Sequence, residues 1–159
     1  MKYYKVVNRK GHRGVKYKNG IVTDPLPFNP SGNCEKGGLY FARKDILSFL
    51  HYGDHIYEVE PIGEVYQNPG FPKKYKAHSL KLKYVGNWKK DINVIDRLFE
   101  DGADIHACND EALRSSAENG YLEVVQYLIE KGADIHAAND CALRWSAEDG
   151  RLKVVKYLI

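Results

Sequence analysis

A duplication constrains this chain more than any other feature. Residues 109 to 138 read NDEALRSSAENGYLEVVQYLIEKGADIHAA, and from Asn139 the text starts again as NDCALRWSAEDGRLKVVKYLI. The register is 30 residues, and it holds at Ala112 and Ala142, Leu113 and Leu143, Gly120 and Gly150, Leu122 and Leu152, and Val125 and Val155. An earlier partial copy, LFEDGADIHA, sets Gly102 and Ile105 one period before Gly132 and Ile135. A fixed period of this size means a stack of one supersecondary unit, because a single copy cannot bury its own apolar face.

Within the full copy, Glu111 to Asn119 reads as a short helix with Ala112, Leu113 and Ala117 inward. Gly120 makes the turn, and Leu122 to Lys131 reads as a second helix with Leu122, Val125, Leu128 and Ile129 on one stripe. Gly132 stands where a helix end wants a left-handed residue. Ala133 to Ala138 is expected to run extended. The segment before it, Asp91 to Glu100, is amphipathic but supplies only the second helix of a unit. Residues 82 to 88, LKYVGNW, stand where its first helix belongs, so the end of the front region is expected to replace that helix.

The pattern A-L-x-x-S-A-E-x-G-x-L-x-V-V-x-Y-L-I-E-K-G-A-D-I-H-A resembles the ankyrin repeat over about 68 residues. Three residues are missing relative to the family's unit, so the projecting hairpin tip should be shortened. The family's T-P-L-H helix start is replaced by Glu111-Ala112-Leu113-Arg114 and Cys141-Ala142-Leu143-Arg144, which leaves Arg114 and Arg144 free to reach acidic neighbours. Both features are similar to ankyrin proteins of the giant-virus, mimivirus-like type. The resemblance implies protein partners bound through hairpin tips and first helices: Cys108, Asn109, Asp110, Glu111, Arg114, Ser115, Asn139, Asp140, Arg144 and Trp145. Trp145 stands out because tryptophan is enriched at interface hot spots and its counterpart one period back is Ser115. The third copy stops inside its second helix, without a polar cap. The expectation is a piece or shortened relative of a longer array that leaves Leu152, Val155 and Leu158 partly uncovered and self-associates through that open repeat.

Residues 1 to 88 read as a different unit. Tyr3 to Val7 suits a strand, and Val15 to Lys18, Asn19-Gly20 and Ile21 to Thr23 suggest a hairpin. DPLPFNPSGN, residues 24 to 33, is a proline-rich loop. Leu39 to Ala42 should be a buried strand, Asp45 to Tyr52 a helix ended by Gly53, and Ile56 to Glu60 a strand broken by Pro61 before a second strand at Glu64 to Tyr66. Leu80 to Val85 alternates as a last strand. The expected architecture is α+β: a small N-terminal domain, 1–88, with an antiparallel sheet and one helix, followed by an α-helical ankyrin stack, 89–159.

Charge divides the chain in the same place. Residues 1 to 90 carry 17 Lys and Arg against 7 Asp and Glu, and residues 91 to 159 carry 7 against 14, within a net charge of +3. The acidic half disfavours nucleic acid as a partner. Only the front could bind it, through Lys73, Lys74, Lys76, Lys81, Lys83, Lys89 and Lys90, and no nucleic-acid motif accompanies them. Three scattered cysteines, Cys34, Cys108 and Cys141, form no metal or disulfide pattern, and His12, His51, His55 and His78 have no ligand spacing, so no metal or cofactor is expected. The N-terminus has charges where a secretory signal needs an apolar run, and no apolar stretch is long enough to span a membrane. An intracellular protein, in the host cytoplasm if viral, is the expectation.

Two resemblances touch the front. Residues 34 to 65 look like a small domain of phage and giant-virus proteins that implies no activity. GGLYFA, a helix, then I-G-E-V is similar to the middle of poly-ADP-ribosyltransferase domains, and that likeness implies Tyr40 against a nicotinamide. The family's upstream histidine segment is missing, and only Glu58 or Glu60 could stand in for its catalytic glutamate. A non-enzymatic interaction protein is therefore the principal reading, with a degenerate or active NAD-binding transferase, or a basic nucleic-acid-binding front domain, as the alternatives.

Overall fold

The computed structural model describes residues 2–12, 14–31 and 35–159. Cys34 and the end of the 24–33 loop lie outside them. Among the described residues five strands, β1 (Tyr3–Val7), β2 (Gly20–Thr23), β3 (Leu39–Ala42), β4 (His55–Gln67) and β5 (Lys74–Asn87), precede five α-helices, with a 3-10 helix, Lys44–Tyr52, between β3 and β4. All strand pairs are antiparallel. Strand β1 pairs with β3 and β4, and β5 pairs with β3 and β4, so four strands close on themselves while β2 adds to β5. The closure is thin at one seam, where β1 and β3 share the single register position Tyr4–Ala42.

Alternation along the strands sends side chains to two interiors. Leu39, Phe41, Val59, Leu80 and Leu82 fill the inside of the strand ring. Tyr4, Val6, Ala42 and Ile56 point the other way, into one core with Ile46, Leu47 and Leu50 of the 3-10 helix and with the helices that follow. Trp88 belongs to that core. It is buried, donates its indole N–H to the Gly53 carbonyl at 2.8 Å and sets its ring edge on Tyr121.

Several local expectations are corrected. Val15 to Lys18 forms no hairpin with β2; Val15 makes an isolated bridge with His12, and β2 pairs with β5 instead. Asn19 spends its side chain on the Tyr84 amide, a tertiary contact that the Asn-Gly signal cannot anticipate. Pro61 does not break β4: the strand runs through it and takes up the irregularity between Ile62 and Val65, around Gly63 at φ 82°. Gly53 does not end its helix in the left-handed region. It is extended (φ 172°), and its requirement is space, since a Cβ there would lie 2.2 Å from the Val7 carbonyl carbon.

The helices are α1 (Ile92–Glu100), α2 (Ala107–Glu118), α3 (Leu122–Glu130), α4 (Ala137–Glu148) and α5 (Leu152–Leu158). Asp91 caps α1 by accepting the Asn93 amide at 3.0 Å. Gly102, Gly120 and Gly132 hold positive φ at the helix ends, as their spacing requires. Helix α2 lies between α4 and the 3-10 helix. One hydrogen bond fixes this equivalence. The Asp134 amide donates to the Asp110 carboxylate in α2 at 3.0 Å, and one period earlier the Asp104 amide donates to the Lys44 carbonyl, at the start of the 3-10 helix, at 2.8 Å. The helix missing from the first repeat is thus supplied by residues 44–52 and not by residues 82–88, which are the end of β5 and Trp88.

Candidate functional site

The shortened tip between repeats is a turn of unusual hand. Ala133 to Ala138 does not run extended; the chain turns at Ile135 and His136, and a left-handed kink at Ala138–Asp140 precedes the regular part of α4. Cys108, Asn109 and Asp110 all hold φ near 55°, as do Ala138, Asn139 and Asp140 one period later. Asn and Asp tolerate this region because their short polar side chains bond locally, and a non-glycine left-handed residue otherwise costs roughly 1–2 kcal/mol. In each tip a histidine four residues before the aspartate closes the turn: His106 Nδ1 lies 3.1 Å from Asp110 Oδ1, and His136 Nδ1 lies 2.6 Å from Asp140 Oδ1. The Asp140 carboxylate raises the His136 pKa above its ordinary value, chiefly through that hydrogen bond.

Arg114 does reach an acidic neighbour, and it does more. Its guanidinium donates to Glu111 Oε2 at 2.6 Å, to the Cys108 carbonyl at 2.8 Å and to the Asn109 carbonyl at 2.9 Å, and it lies 5.4 Å from the centre of the Trp145 ring. It therefore holds the left-handed tip and the neighbouring repeat at once. Arg144 is exposed and bonds to no described residue, and Cys141 takes the place of Glu111 beside it.

The ten expected contact residues divide accordingly. Asn109, Asn139, Asp140 and Arg144 are exposed; Cys108, Glu111, Arg114 and Trp145 are partly buried. Asp110 and Ser115 are buried, 4% and 2% exposed, and face the interior of the stack, so neither is available from outside. Sequence reasoning missed the aromatic residues beside them. Tyr52 is 58% exposed at the end of the 3-10 helix, and Phe71 is 68% exposed on the loop between β4 and β5. With Phe49, Pro69, Cys108 and Glu111 they border a hollow of about 290 Å³ on the inner-helix side. The signal was present in the sequence, since Phe71 sits in a Pro/Gly loop, but nothing local placed that loop against α2.

In the front half, Glu58 and Glu60 are engaged in ion pairs, with Arg97 at 2.8 Å and Lys81 at 3.0 Å. Among the candidate nucleic-acid lysines, Lys76 is fully buried, its ammonium on the Ser31 carbonyl, and Lys89 lies over the Trp88 and Tyr121 rings. Tyr40 does border a cavity, a second one of about 290 Å³ at the β1–β3 seam. Among the described residues no His, Cys, Asp and Glu side chains gather as a metal site.

A sheet that covers the first of a series of paired helices joined by glycine turns defines a repeat-stack protein with a folded N-terminal cover. A family model for ankyrin repeats, in three copies, matches residues 84–159. The chain is 36% identical over 133 residues to uncharacterised protein R869 of Acanthamoeba polyphaga mimivirus, covering 77% of this chain and 94% of that one. It is also 35% and 32% identical to proteins R229 and R896 of the same virus, which are described as ankyrin repeat proteins; 69% and 72% of this chain match, and these span 38% and 36% of those relatives. The chain belongs to the ankyrin-repeat proteins of the mimivirus type. All three matches cover more of the chain than the repeats occupy, so the likeness extends into the sheet. No solved structure matches, and no described helix is long and apolar enough to cross a membrane.

Proposed function

We propose that this protein is a non-enzymatic binding module that captures a segment of another protein along the face formed by the 3-10 helix, α2 and α4. The observation that carries this reading is the exposure of Tyr52 and Phe71 around the hollow beside Glu111, in a family whose repeats serve protein interaction. Large apolar side chains grouped on a rigid face are the usual anchors of a protein interface. Trp145, pinned by Arg114, extends the face by one repeat, and Asn109, Asn139 and Asp140 supply polar contacts at the tips. The viral kinship and the expectation of a reduced thiol environment support a reading of intracellular action, in the cytoplasm of the host.

Cross-linked capture from host-cell extract tests the reading. Tyr52→Ala, Phe71→Ala and Trp145→Ala should each lose captured partners while keeping the wild-type unfolding transition. Identical capture profiles for all three variants overturn it. Exposed side chains of the last two helices support a second behaviour: Leu152 of α5 is 68% exposed and Ala147 of α4 is exposed. Self-association through this surface should appear in sedimentation velocity as a concentration-dependent shift that Leu152→Lys removes.

A further inference from the structure

We propose that the cavity at the β1–β3 seam binds a small aromatic monoanion, with the charge received by the ammonium of Lys5. This inference does not rest on the protein-binding face: its charge site, Lys5, lies on β1, while Phe49 and Tyr52 border both spaces.

The argument starts from the alternation of β1. Tyr4 and Val6 point into the core shared with the helices, so Lys5 points to the opposite side together with Tyr3. Its ammonium donates to the Tyr40 carbonyl across the seam at 2.6 Å and lies 4.8 Å from the centre of the Tyr17 ring. An ammonium has three donors and no acceptor. Among the described residues no carboxylate pairs with it, and burial lowers its pKa to about 8, which leaves it largely protonated at neutral pH. Lys5 is half-buried, and an anion in the adjacent space supplies the counter-charge that its partly withdrawn ammonium lacks.

The space is there, and its walls are firm. The cavity measures about 290 Å³, at the small end of ligand sites, and Tyr17, Tyr40, Phe41 and Phe49 give it aromatic surface. Its charged lining is Lys5, Lys36 and Lys74 with one acid, Asp24, and His12 stands among them. Asp24 is already occupied: its two carboxylate oxygens accept the amides of Leu26 at 2.8 Å and Gly38 at 2.9 Å, tying two wall segments together. Gly37 and Gly38 let those segments close, since a Cβ would lie 2.2 Å from the Pro27 carbonyl oxygen at one and 2.4 Å from Lys76 Cγ at the other. A cavity with aromatic walls and an excess of positive charge selects one ring bearing one negative group.

The test uses the full chain and three probes: benzoate, with acetate to isolate the charge and benzyl alcohol to isolate the ring. Amide resonances of Lys5, Gly38 and Tyr40 are followed by NMR. Benzoate should shift them saturably and bind more tightly than either control. Lys5→Met should weaken benzoate by about tenfold or more, the loss of one charge-assisted hydrogen bond, and leave benzyl alcohol unchanged. Lys5→Gln, which keeps the polarity and removes the charge, serves as the second variant and should behave in the same way. Equal affinity of benzoate and benzyl alcohol in the wild type, shifts confined to other resonances, or benzoate binding unaltered in a folded variant would each overturn the proposal.

Discussion

Arg114 and Arg144 occupy the same position of the repeat, yet only the first is built into the structure. Arg114 satisfies two carbonyls of a left-handed turn and one carboxylate, so Arg114→Ala should cost about 1.5–3 kcal/mol in urea unfolding. Arg144→Ala should lie within about 0.5 kcal/mol of wild type. Equal effects would show that the tip does not depend on the guanidinium. His136 supplies a pH-dependent counterpart. Its pKa is raised by Asp140, so the stabilisation is fully present below the ordinary histidine value near 6.5 and is lost as pH rises through the raised value. NMR titration should place His136 above that ordinary value, and His136→Gln should remove the corresponding pH dependence of the last repeat's amide protection. A titration at or below it would contradict the pairing.

At the scale of elements, the 3-10 helix matters most. Its composition announces a short helix, with Ile46, Phe49 and Leu50 at helical spacing, and nothing local announces that it serves the array. It does so because Ile46, Leu47 and Leu50 are buried in the same core as Ala112 and Leu113 of α2. Leu47→Ala should therefore cost about 2–5 kcal/mol and lower hydrogen-exchange protection in α2 as well as in the sheet; a loss confined to the sheet would separate the two. The repeat helices themselves were legible, because their period, glycine turns and apolar stripes are properties of neighbouring residues. The sheet was less so. Pro61 and Asn19-Gly20 are local breaking and turning signals, and both were outweighed by pairing with β5, the next strand after β4 but distant in the chain from β2.

Beside the interior of the strand ring, a second apolar core joins the sheet to the repeats, passing from Tyr4 and Ile56 through Trp88 to Val125 and Leu128. The charge contrast between the halves contributes at its edge, where Lys2 lies 3.8 Å from Asp101, but Glu58 and Arg97 pair across the same boundary with the opposite sense. Such partly exposed pairs are worth at most about 1 kcal/mol, so burial joins the two parts. Residues 44–52 of the front segment pack on α2 and share one core with the repeats. Residues 89–159 produced alone should show weak helical circular dichroism and no cooperative thermal transition, because α2 would lose the cover that residues 44–52 provide. A cooperative transition in that fragment would show the cover to be dispensable.

The amino-acid sequence by itself determined the repeat, its 30-residue period and glycine turns, its kinship with ankyrin proteins and the positions of the tips, since all of these rest on residues a few places apart. Tertiary structure alone decided which helix completes the first repeat, which of two equivalent arginines is engaged, that Asp110 and Ser115 are buried, and that Lys5 faces a cavity. Each of these depends on residues distant in sequence meeting in one core, and periodicity carries no information about which distant surface a residue will meet.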